Sequence, residues 1–129
     1  MKIAVLIARI LLGLIFVVFG LNGFLNFIHQ PPPTDPNAIH FFTGVASSHF
    51  SYMFFAFQFV AGLLLLSGFF VPLALVILAA ELVNILTYHI TMDPGGILPG
   101  LVSLVLWIVI FLGYRSAFTP LLAAKPTID

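Results

Sequence analysis

The stretch from Val60 to Glu81 reads VAGLLLLSGFFVPLALVILAAE. It is apolar on both sides of one short break, Gly68-Phe69-Phe70-Val71-Pro72. A helix that crosses a bilayer needs about 20 mostly apolar residues. A break this short joins two such helices almost directly, so the stretch predicts a tight antiparallel hairpin of two spans. The only other backbone that satisfies its own polar groups in lipid is a closed β-barrel. Barrel strands alternate apolar and polar residues. Here Val60 to Leu66 and Leu104 to Leu112 are continuous apolar runs.

Outward from the hairpin, four spans are predicted: about 3–27, 51–70, 71–90 and 98–118. Composition agrees. Of 129 residues, 62% are hydrophobic and 6% charged, against about 25% charged in a soluble globular domain. A soluble domain this small needs far more polar surface. The four cations and four acids balance to a net charge of zero, so there is no basic field to hold nucleic acid. The absence of cysteine excludes disulfides, thiolate nucleophiles and Cys-ligated metal clusters. The chain therefore reads as a single transmembrane domain over residues 1–129, an all-α membrane four-helix bundle. Arg9 interrupts the first apolar run and no small-residue cleavage site closes it, so the run is expected to stay as a span and not to be removed as a signal peptide.

Lys2, Arg9, Arg115 and Lys125 flank the first and last spans, and the three connecting loops hold no Lys or Arg. The positive-inside rule then places both termini in the cytoplasm. The first loop is the longest. Pro31-Pro32-Pro33 is expected to be extended, and Asn37 after Pro36 to cap a short interfacial helix. The alternative is an irregular loop packed on the bundle. Asp93-Pro94-Gly95-Gly96 is strong turn chemistry.

Small and polar residues gather on one stripe of each span: Arg9, Gly13, Phe16, Gly20 and Gly23; Ser51, Gln58 and Gly62; Glu81, Asn84 and Tyr88, with His89 at the edge; Gly100, Ser103, Trp107 and Tyr114. Small residues let helices approach and polar ones prefer the bundle interior, so the stripes are expected to face one another. Arg9 and Glu81 are the charges at depth, where ions are costly and tend to be paired. Counted along their helices, they differ in depth by about 5 Å, which makes an Arg9–Glu81 pair feasible. The alternative is that Arg9 snorkels to the headgroups.

His29, His40, His49 and Asp93 form an expected polar cluster on the outer face, with His89 one turn before Asp93. The spacing matches no zinc signature and gives no supported haem site, so neither metal nor haem is expected. No Gly-rich phosphate loop is present, and no acid is placed by spacing beside Ser47, Ser48 and His49 to complete a triad. No catalytic residue is assigned. Asn26, Gln58, Asn84, Tyr88 and His89 supply hydrogen-bonding groups among apolar walls, which suits a quinone headgroup or a lipid.

Several stretches together resemble the DoxX-like membrane proteins. They are Arg9 with Gly13, Phe19-Gly20-Leu21-Asn22-Gly23-Phe24, the triple proline, Ala61 to Leu66, Phe70 to Leu75, Val83-Asn84-Ile85 followed by His89 and Asp93-Pro94, and Tyr114-Arg115 followed by Phe118-Thr119-Pro120-Leu121. The resemblance implies a four-helix protein of the bacterial inner membrane with a loose link to redox biology. Relatives include small membrane subunits of quinone-reducing, sulfur-oxidising systems and partners of oxidative-stress enzymes. In such relatives an acid often stands midway along the second span, where this chain has Gln58, and the site of Glu81 is often apolar or proline. The functional expectation is an accessory subunit of a quinone-linked membrane redox system, without independent catalytic activity and in contact with lipid, other membrane subunits or redox enzymes. Two other readings are a structural subunit of a larger complex and a small transporter using the Arg9/Glu81 axis.

Overall fold

A computed structural model describes all residues, Met1 to Asp129. It is all-helical: α1 (Lys2–Leu25), α2 (Pro36–Ser47), α3 (Ser51–Ser67), α4 (Val71–Met92) and α5 (Leu98–Tyr114). A 3₁₀ turn, Pro94–Gly96, links α4 to α5, and a 3₁₀ segment, Arg115–Leu122, follows α5. Of 92 backbone–backbone hydrogen bonds, 78 lie inside these elements, so the helices satisfy their own polar groups as hydrocarbon requires.

Four long helices form the bundle and α2 lies outside it. α1 packs on α3 and α5, and α4 packs on the same two, which leaves α1 and α4 across a diagonal. The centre is filled by Leu12 from α1, Ala61 and Leu65 from α3, Ala74, Leu75 and Leu78 from α4, and Ile110 from α5, all fully buried.

The α1–α3 contact is the closest, and glycine makes it possible. A Cβ on Gly20 would stand 2.7 Å from the Phe59 backbone nitrogen. One on Gly62 would stand 2.7 Å from the Val17 nitrogen and 2.9 Å from the Gly13 carbonyl oxygen. Neither obstacle is a side chain that can swing away. Lipid tails are as apolar as leucine, so helix association in a membrane rests on this kind of close van der Waals fit.

The α3–α4 hairpin turns on two left-handed residues, Gly68 at φ 78° and Phe70 at φ 54°. The Gly68 N–H donates to the Leu64 carbonyl at 3.0 Å and closes α3. Pro72 falls in the first turn of α4, where its missing N–H costs no helical bond. α1 ends at Leu25, two residues short of the predicted 27, because Asn26 turns left-handed at φ 49°. The Asn22 side chain seals that end: Oδ1 accepts from the Ile28 N–H at 2.6 Å and Nδ2 donates to the Ile28 carbonyl at 3.3 Å.

The short helix of the first loop is α2, and its cap corrects the expectation. Asp35, not Asn37, is the N-cap; its Oδ1 accepts from the N–H groups of Asn37 at 2.8 Å and Ala38 at 3.1 Å. Pro36 occupies the first helical position, so the capping side chain must come from the residue before it. α2 meets α3 at 82°. α1, α4 and the run Leu98–Leu122 are each long and apolar enough to cross a membrane, with 24, 22 and 25 residues. α3 has 17 residues and spans about 25 Å; with α2 as a bent pair it makes the fourth candidate span.

The glycine seam gives a direct test. Gly20→Ala and Gly62→Ala should each lower stability by about 1–3 kcal/mol, the usual cost of overpacking a filled contact. Gly44 and Gly95 have no atom within 4 Å of an added Cβ. Gly44→Ala, inside α2, should be neutral or gain up to about 1 kcal/mol. Thermal unfolding in a mild detergent checks the contrast, which is lost if all three variants behave alike.

Candidate functional site

The helix register places three polar side chains at one depth in the middle of the bundle. They are Gln58 of α3, Glu81 of α4 and Ser103 of α5, at 8%, 6% and 4% exposure, and they are the buried polar side chains of the protein. The Gln58 Nε2 amide donates to Glu81 Oε2 at 3.1 Å. Ser103 is brought level by the α4–α5 register. Trp107 Nε1 donates to the Leu75 carbonyl at 2.9 Å, and Gly100 rests against Ile85 and Leu86.

Arg9 does not join this set. The expected Arg9–Glu81 ion pair is absent, and the acid–base contact within 4 Å in this protein is His89–Asp93. The reason is geometric. α1 and α4 lie across the diagonal, and the guanidinium sits at the end of the bundle. A Cβ on Gly68 would stand 2.8 Å from Arg9 Nη1, which puts the charge level with the α3–α4 turn. Glu81 is level with Gln58, ten residues earlier on α3, or about 15 Å away along the axis. The depth estimate failed because α1 starts about two turns before the level at which α4 begins. Arg9 instead donates from Nη1 to the Tyr114 hydroxyl at 3.4 Å.

At the opposite end, away from the termini, an aromatic cluster fastens α2 to α4. Tyr88 lies with its ring centroid 5.8 Å from Phe41, 5.0 Å from Phe42 and 4.9 Å from His89. His89 Nδ1 is 3.0 Å from the Asp93 carbonyl oxygen and 3.5 Å from its carboxylate. A carbonyl only accepts, so Nδ1 carries the hydrogen and Nε2 is left for another partner. Gly96 closes the turn against this pair: a Cβ there would meet Asp93 Oδ2 at 2.7 Å and His89 Cε1 at 2.9 Å.

The other predicted residues are dispersed. Gln58 is in the core with Glu81. Asn84 is exposed, not interior as its stripe suggested, and donates to the Ala80 carbonyl of its own helix at 2.9 Å. Asn26 is exposed at the left-handed end of α1. His29, His40 and His49 are exposed. His49, at φ 62°, packs its ring 5.2 Å from Tyr52. The outer-face cluster therefore contracts to His89 and Asp93, and no three His, Asp or Glu side chains converge. Of the five quinone or lipid candidates, Tyr88 and His89 come together.

Sequence reasoning missed the Gln58–Glu81 bond and Tyr114 as the partner of Arg9. The first had a signal. In a tight antiparallel hairpin, residues equidistant from the turn face each other, and Gln58 precedes Gly68 by as many positions as Glu81 follows Val71.

The buried pair predicts non-additive energetics. Gln58→Leu should cost about 1–3 kcal/mol by stranding a buried polar group, whereas Glu81→Gln keeps a hydrogen-bonding partner and should cost less. The double variant Gln58→Leu/Glu81→Leu should be more stable than the sum of its single changes. Unfolding midpoints of the wild type, Gln58→Leu, Glu81→Leu and the double variant close the cycle, and strict additivity would show the bond to be energetically idle.

Comparison with known proteins agrees with this architecture. The DoxX family model matches residues 4–90, which takes in nearly all of α1, α2 and α3 whole, and nearly all of α4. No curated protein and no solved structure matches the chain. On a match covering two thirds of its length, the chain belongs to the DoxX family of membrane proteins.

Proposed function

We propose that this DoxX protein is an accessory subunit of a quinone-linked redox system of the bacterial inner membrane, with no catalytic centre of its own. The end bearing both termini faces the cytoplasm, as the placement of Lys2, Arg9, Arg115 and Lys125 favours. The observation that carries the reading is the Tyr88–His89 corner. The Tyr88 and His89 rings lie 4.9 Å apart, and Phe41 and Phe42 pack on the Tyr88 ring. His89 is held by Asp93 in the tautomer that leaves Nε2 available. A quinone headgroup needs hydrogen-bonding groups at its carbonyls and flat apolar walls, and this corner has both.

The remaining polar groups favour an accessory role. Asn22, Asn84, Thr91 and Trp107 bond to backbone carbonyls, and Gln58 bonds to Glu81. They hold the fold together. A transport axis through Arg9 and Glu81 has no such support, because the two charges lie at different depths. The sulfur-oxidising and oxidative-stress systems of relatives are the partner class to try first.

The test is solvent extraction of the purified protein followed by mass spectrometry. Near-stoichiometric quinone is expected from the wild type, falling about tenfold or more in His89→Ala and Tyr88→Phe, as loss of a polar anchor in a ligand pocket implies. Lipid alone in the extract, unchanged by either substitution, would overturn the quinone reading.

A further inference from the structure

A second site lies at the other end of the bundle, between the start of α1 and the end of α5. An open groove of about 260 Å³ is lined there by Lys2, Val5, Leu6, Arg9, Gly113 and Tyr114, with Met1 at its rim. Its floor is closed where Gly113 admits Val5: an added Cβ would be 2.6 Å from Val5 Cγ2. Lys2 and Arg9 are two turns apart on one face of α1, so both cations address the same space. No acidic residue lines the groove.

Arg9 is under-satisfied. A guanidinium has five N–H donors. The protein provides one long hydrogen bond, from Nη1 to the Tyr114 hydroxyl at 3.4 Å. Nε is buried and has no partner at all. Asp35 and Asp93 are at the far end of the bundle, Glu81 is bonded to Gln58, and Asp129 forms no ion pair within 4 Å. The protein therefore brings a cation into a partly apolar groove and leaves its charge unanswered. An arginine in that state calls for an anion with planar or tetrahedral oxygens, and a groove open at the level of the helix ends meets lipid phosphates.

We infer that this groove binds the phosphate of an anionic lipid headgroup, held by Arg9 and Lys2 with the Tyr114 hydroxyl as a further donor. Val5 and Leu6 would line the path of the glycerol backbone toward the acyl region. This site is separate from the Tyr88–His89 corner, and either can fail without the other.

Native mass spectrometry of the full chain, exchanged into an equimolar mixture of phosphatidylglycerol and phosphatidylcholine, tests it. The wild type should retain phosphatidylglycerol about tenfold over phosphatidylcholine, the scale of a charge-assisted contact. Arg9→Gln should bring the ratio close to one, and Lys2→Gln should lower it about fivefold, the worth of one cation near an anionic surface. Arg115→Gln, outside the groove, should leave it unchanged. If Arg9→Gln does not fold, Lys2→Gln and Tyr114→Phe carry the same comparison. Equal retention of both lipids, or an equal loss in Arg115→Gln, overturns the site. Thermal stability of delipidated protein with added inorganic phosphate separates the sources. A rise abolished by Lys2→Gln, without any lipid preference, would assign the groove to free phosphate and overturn the lipid assignment.

Discussion

Everything in this fold depends on how closely α1 can approach α3. In hydrocarbon there is no hydrophobic gain from pressing one apolar helix on another, so contact must come from fit. Gly13, Gly20 and Gly62 remove the side chains that would hold the two backbones apart. The α3–α4 turn then fixes α4 beside α3, and α5 closes the ring against α1 and α4. The buried Gln58–Glu81 bond is a consequence: it forms because the tight hairpin leaves those two residues facing each other in the middle of the bundle.

The long helices were legible because membrane solvent imposes a long, continuous pattern. Gly68 to Pro72 identified the hairpin, and the small-residue stripes pointed to the packed faces. Depth was harder to read. Counting residues from each helix start assumes that all helices begin at one plane, and α1 does not. That offset moved Arg9 away from Glu81 and gave it to Tyr114. Asn84 misled for a different reason. It shares a stripe with Glu81, but a short polar side chain can satisfy itself on the carbonyl one turn back, so it has no need of the interior. The scatter of His29, His40 and His49 follows from loop placement, which no periodicity encodes.

The polar chemistry is thus sorted into three levels. The cations gather with the termini, the Gln58–Glu81 pair sits at mid-depth, and the histidines with Asp35 and Asp93 lie at the far end. Each level has different surroundings. The middle one is sealed by packing and contributes to the fold, whereas the two outer levels open to the headgroup regions. Both proposed ligand sites lie at those ends, one at each.

The shortness of α3 has a consequence for the surrounding bilayer. α1 has 24 residues and α3 has 17, so α1 is about 10 Å longer than its packing partner, and the excess falls at the end bearing the termini, where Arg9 is level with the α3–α4 turn. α2, bent by 82° from α3, lies at the opposite end. Lipids beside α3 must shorten or splay to match it, at a cost that grows with each ångström of hydrophobic mismatch. A helix this short fits a thin or locally deformed membrane better than a thick one.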